Sequence, residues 1–232
     1  MPSSTLRSVV WLTVYLLFVL LPLLALLAGS LPPARDFWTE FSAALGYSGL
    51  AIMGLQFGIT ARFRYVTEPW GEDIIYHFHR RISLFAVALV LVHPAIMFAV
   101  QPDLRAVPAI GEIPLGALAA FTSVGALIVL VVTALWRARL RIPYEWWHAS
   151  HMALALVAVS GGLVHMVGWS FYLADPWKRL LWVAVTLFWV GLLVHVRLVK
   201  PLFMLRRPYR VTEVRRERGD TTTLVMPSVS LS

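Results

Sequence analysis

No cysteine occurs anywhere in the 232 residues. Its absence excludes disulfides, iron–sulfur clusters, thiolate-ligated haem and covalent c-type haem attachment, so any metal must be held by His, carboxylate, Met or backbone groups. Charge is the second scarcity, with Asp, Glu, Lys and Arg making up 14% of the chain. No Gly-rich phosphate loop, low-complexity linker or internal repeat stands out beyond the histidine pattern described below. What is abundant is apolar: 59% of residues are hydrophobic and the mean hydropathy is +0.75, the composition of an integral membrane protein.

Six apolar segments each reach the roughly 20 residues needed to cross a bilayer. They run from about Val9 to Ala28, Phe41 to Thr60, Ile74 to Val100, Pro114 to Trp136, Trp146 to Phe171, and Trp177 to Val199. Small residues near Ala28 and Gly29 resemble a signal-peptidase site, but the first apolar run is longer than a signal h-region, which predicts a retained helix. The net charge of +8 is a topology signal and not a nucleic-acid footprint, because the basic residues cluster at segment ends. With the N-terminus inside, one side holds Arg7, Arg62, Arg64, Arg80, Arg81, Arg137, Arg139, Arg141 and the basic residues from Arg197 to Arg218; the other holds only Arg35, Arg105, Lys178 and Arg179. Both termini are therefore expected in the cytoplasm, in a multi-pass protein of the cell (inner) membrane with lipid around it.

Segments three and five each carry two histidines fourteen residues apart, His79/His93 and His151/His165. Fourteen residues are two heptads, so both imidazoles of a pair fall on nearly the same helix face, about 21 Å apart along the axis. The two segments are predicted to run parallel, which matches the histidines by depth: His79 with His151 near the cytoplasmic side, His93 with His165 near the outer side. Between them one face reads Ser83, Ala86 and Val90, and the other Ala155, Ala158 and Gly162. Small residues let membrane helices pack closely, yet tight contact would strand four imidazoles in a dry interior. A flat macrocycle held axially from each helix satisfies them twice over. Zinc or copper wants three or four converging ligands, and a proton relay usually includes buried carboxylates, which the central parts of these two segments lack.

The predicted architecture is thus an all-α bundle of six transmembrane helices, residues 1–204, holding two stacked haems b. A short β-prone cytoplasmic tail, residues 205–232, has strand-like runs at Tyr209 to Arg216 and Thr221 to Met226 around Gly219 and Asp220. His148, one turn before His151, is a rival inner ligand whose seventeen-residue distance to His165 breaks the match. His77 and His195 read as interfacial, with a propionate contact open to His195. Arg80 and Arg81 are equally suited to snorkelling and to neutralising haem propionates. Trp169, Phe171, Tyr172 and Trp177 read as an outer aromatic belt, and Pro94 predicts a local kink beside His93.

With these features the chain resembles the ferric reductase-like transmembrane domain shared by ferric reductases and NADPH oxidases, over roughly Phe41 to Lys200. The resemblance is carried by the doubled histidine spacing and by Ile142-Pro143-Tyr144-Glu145-Trp146-Trp147 leading into His148 and His151. It implies His79 and His151 as ligands of the inner haem iron, His93 and His165 as ligands of the outer, and single-electron transfer from a cytoplasmic flavin, reduced by NAD(P)H, to an outer-side acceptor: a ferric chelate, oxygen or a periplasmic protein. Arg207-Pro208-Tyr209-Arg210-Val211 with Thr221-Thr222-Thr223-Leu224-Val225 looks like the first strands of the family's flavin-binding barrel. The family's flavin and nicotinamide motifs are not found, so FAD and NAD(P)H are expected on a missing domain or a reductase partner subunit. Met97 stands one turn beyond His93, where NADPH oxidases place a further histidine, and the outer half of segment two has no Arg; both count against superoxide production. The alternatives are a haem subunit serving a periplasmic reductase such as a methionine sulfoxide reductase, and, more remotely, a metal or proton transporter.

Overall fold

In the computed structural model, residues 4–61, 70–105, 113–205, 211–219 and 221–225 are described. Arg62, Arg64, Arg206, Arg207, Pro208, Tyr209, Arg210, Asp220 and Met226 lie outside them. The chain divides into two compact units, Met1–Leu192 and Leu193–Ser232.

Six helices among the described residues are long and apolar enough to cross a membrane. They are α1 (Ser4–Leu26), α2 (Phe37–Ile59), α3 (Glu72–Val100), α4 (Leu115–Trp136), α5 (Tyr144–Trp169) and α6 (Pro176–Val194), the last continuing through a π-helical turn, His195–Val199, into α7 (Lys200–Leu205). The predicted spans are recovered, each helix beginning two to five residues earlier than its apolar run except α4 and α6, which differ by one. Apolar length sets these spans and polar residues set several ends. Asp36 caps α2 by accepting from the Thr39 N–H at 3.0 Å, and Ser170 closes α5 in the left-handed region with its N–H on the Met166 carbonyl. α3 runs unbroken through Pro94, whose missing N–H leaves the Val90 carbonyl without its usual helical partner.

α2 is the hub of the first unit. Half of its apolar window is buried, against 11% for α1 and α3, and it packs on α1, α3 and α5. Glycines let neighbours come close: a Cβ at Gly49 would lie 2.5 Å from Val90 Cγ2, and one at Gly58 would lie 2.8 Å from the Trp189 ring of α6. The two most extensive helix pairs are α2 with α3 and α4 with α5. The histidine-bearing helices α3 and α5 thus each pack chiefly on a different partner.

At the end of the bundle where α2 begins, Lys178 is 1% exposed, with its Nζ donating to the carbonyls of Leu26 (3.1 Å) and Ser30 (2.8 Å) and paired with Asp175 at 3.3 Å. The Ser30 hydroxyl donates to the same carboxylate at 2.6 Å. Gly29, at φ +72°, turns the chain there. Beside this staple Arg35 pairs with Glu40 at 3.2 Å and lies 3.8 Å over the Phe171 ring, while the Tyr172 hydroxyl donates to Glu40.

In the second unit, Pro201 lacks the N–H that would pair with the Arg197 carbonyl, and the helix widens locally, the Lys200 N–H reaching back to His195. The tail forms a two-stranded antiparallel hairpin, β1 (Glu213–Arg216) with β2 (Thr222–Val225), Glu213 opposite Val225. The strands are shorter than the predicted runs, and their side chains are almost all exposed.

Candidate metal centre

His93, seven residues before the end of α3, and His165, four before the end of α5, meet across the bundle with ring centres 6.2 Å apart and planes tilted by 60°. Two imidazoles bound to one metal through bonds of about 2.0–2.1 Å, with about 1 Å more from each nitrogen to its ring centre, stand roughly 6 Å apart. The observed separation fits that arrangement.

The hydrogen bonds settle which nitrogen is available. His93 Nδ1 lies 2.9 Å from the Ser42 carbonyl and 2.9 Å from Ser42 Oγ, and that hydroxyl in turn donates to the His93 carbonyl at 2.8 Å. His165 Nδ1 lies 3.1 Å from the Gly116 carbonyl. A carbonyl only accepts, so each Nδ1 carries the proton and each Nε2 keeps the lone pair a metal needs. Such outer partners are the usual means by which a ligating histidine is oriented. Glycines make the contacts reachable: a Cβ at Gly46 would come within 3.2 Å of the His93 ring, and one at Gly168 within 3.1 Å of the Gly116 backbone.

The second pair lies deeper toward the helix starts. His79 Nδ1 donates to Gln56 Oε1 at 3.0 Å, again leaving Nε2 as the lone-pair nitrogen, and His151 is within electrostatic range of His79. His151 Nδ1 is buried without a hydrogen-bond partner among the described residues, its ring 5.4 Å from Trp147. His148, the rival, stacks on Tyr144 with ring centres 5.7 Å apart. Among the described residues no group of three or more His, Asp or Glu side chains forms a metal-ion site; the ring contact between histidines is that of His93 with His165.

Arg80 and Arg81 are exposed beside His79, and His77 and His195 are exposed as well. Met97 is half-buried one turn past His93. Gly162 faces helix packing: a Cβ there would meet Leu50 Cδ1 at 3.0 Å, while one at the adjacent Gly161 would meet the Ala119 carbonyl at 3.0 Å. The small residues of α5 therefore serve close helix approach at these two positions. Sequence reasoning missed Ser42 and Gln56. Their signal was present: two polar residues on α2, themselves fourteen apart, on a face otherwise marked by Gly46 and Gly49.

A family model described as "Ferric reductase like transmembrane component" matches residues 45–162, just over half the chain. The match takes in His79, His93 and His151 and ends three residues before His165. No curated protein and no solved structure matches the chain.

Proposed function

The chain belongs to the family of ferric reductase-like transmembrane components, a membership that supports a redox, electron-transferring role across a membrane, and from that premise we propose that it is the two-haem core of a ferric reductase-like oxidoreductase. His79 and His151 hold the haem nearer the cytoplasm, and His93 and His165 the outer one. Bound there, two haems b supply a relay for single electrons, from a reduced flavin inside to an acceptor outside. The chain's own work is to fix ligand orientation, spacing and burial. Arg80 and Arg81 neutralise propionates at the inner level.

Both termini lie in the cytoplasm, and the β1–β2 hairpin is of the kind found in flavin-binding barrels, with FAD and NAD(P)H held on a further domain or a partner subunit. The acceptor is a ferric chelate or a periplasmic protein in preference to oxygen, given Met97 one turn past His93. The observation that carries the reading is the facing of His93 and His165 at 6.2 Å, each Nδ1 engaged by its own neighbouring helix. Purified full-length protein is expected to show a dithionite-reducible b-type spectrum with two haems per chain. A preparation with no haem after expression in haem-replete cells would sink the proposal.

A further inference from the structure

Ser42 and Gln56 repeat on α2 the fourteen-residue spacing that His79 and His93 have on α3. The helices pack side by side with opposite sense, so the order reverses: Ser42 meets His93 and Gln56 meets His79. One helix therefore supplies the outer partner for a histidine at both levels.

The two contacts are not equivalent. The His93 proton is taken by the Ser42 main-chain carbonyl at 2.9 Å, which no side-chain substitution removes. At His79 the partner at a full hydrogen-bond length is Gln56 Oε1, 3.0 Å away, with Ser83 Oγ at 3.5 Å from His79 Nδ1 and 3.5 Å from Gln56 Oε1. The Gln56 amide is buried at 6% exposure and oriented by its own Nε2, which donates to the Ile52 carbonyl at 3.0 Å. The buried Tyr15 hydroxyl lies near the same side chain. Among the described residues His151 Nδ1 has no hydrogen-bond partner. Outer-partner control of this level thus rests on one amide.

We propose that Gln56 is a positioning residue for His79 and sets the reduction potential of the haem at that level without affecting the other. The inference rests on the two-haem reading above. A hydrogen bond accepted from Nδ1–H strengthens the imidazole as an electron donor, which stabilises ferric over ferrous iron and lowers the potential. Removing the acceptor raises it. A charged acceptor lowers it further.

The test is an anaerobic redox titration of the full-length protein in detergent, after haem per chain has been measured, on wild type, Gln56→Leu and Gln56→Glu. Two haem transitions are expected in each. One of them rises in Gln56→Leu and falls in Gln56→Glu, each tenfold change in its equilibrium being about 59 mV for one electron. The low-spin ferric resonance of the same haem shifts with it, and the other transition stays in place. Both transitions staying put, or both moving together, in protein with two haems per chain overturns the inference alone. Should Gln56→Leu lose haem, Gln56→Glu decides by the same readout. Wild-type protein without haem overturns the two-haem reading instead.

Discussion

The two histidine levels are built from the same ligand type and spacing, yet they are held differently. At the His93 level both Nδ1 protons end on main-chain carbonyls, Ser42 and Gly116, whose positions are fixed by the N-terminal parts of α2 and α4. At the His79 level one proton ends on a side-chain amide, and His151 Nδ1 has no hydrogen-bond partner among the described residues. The same end of the bundle as His93 also carries the Lys178 staple and the Arg35–Glu40–Tyr172 cluster. A backbone partner is a constant of the fold, whereas a side-chain partner is open to change by substitution. The first level is built for rigidity and the second for adjustment.

The largest expected effect separates the levels outright. His93→Ala or His165→Ala should remove one haem and leave the other, and His79→Ala or His151→Ala should do the reverse, so that a pyridine haemochromogen assay reads about half the wild-type haem per chain. Loss of both haems from any single variant would show that the levels are not independent.

Next comes the α2–α3 contact on which both levels depend. Gly49→Ala places a Cβ 2.5 Å from Val90 Cγ2 and 3.2 Å from the Ala86 carbonyl, and overpacking of that kind costs about 1–3 kcal/mol. Gly125→Ala on α4, where a Cβ meets nothing within 4 Å, should be neutral or stabilise by up to about 1 kcal/mol through helix propensity. Thermal unfolding in detergent compares the two; equal shifts would mean that the α2–α3 contact is not tight.

Acid should loosen the His93 end first. The Ser30 hydroxyl bond, and then Lys178, hold the Asp175 carboxyl below the ordinary aspartate range. A depressed folded value contributes stability that is present above the unfolded pKa and is lost as pH falls through the folded one. Wild type should therefore lose thermal stability on acidification through the carboxylate range more steeply than Asp175→Asn. Parallel curves would remove the staple from the comparison.

The smallest effect is expected from Ser42→Ala. It deletes one acceptor at His93 but leaves the Ser42 carbonyl at 2.9 Å, so the potential of that haem should move less than Gln56→Leu moves the other. A larger shift from Ser42→Ala would reverse the assignment of rigid and adjustable levels.

Much of this was legible in the chain before any coordinates. Helix number and span follow from apolar length, since a polar backbone in hydrocarbon must satisfy itself within a helix. The pairing of His93 with His165 follows from two equal spacings on parallel helices. Other features were not legible. Lys178 reads in sequence as one more outer charge, but it is a buried structural cation, because the carbonyls of Leu26 and Ser30 that receive it are far away in sequence. Gly162 reads as part of a flat haem-facing surface, whereas its open side is filled by Leu50 of α2. Neighbour identity depends on helix rotation and contact, which periodicity along one helix does not encode.

The sequence by itself determined that this is a six-span membrane protein of the ferric reductase-like family with four histidines at two depths, because span length, helical period and ligand type are local properties of the chain. Only the tertiary structure decided which nitrogen of His79, His93 and His165 is free and which group holds the other. Those answers lie on α2 and α4, brought to the histidines by glycine-mediated approach between helices, and a contact between helices is fixed by packing across the bundle.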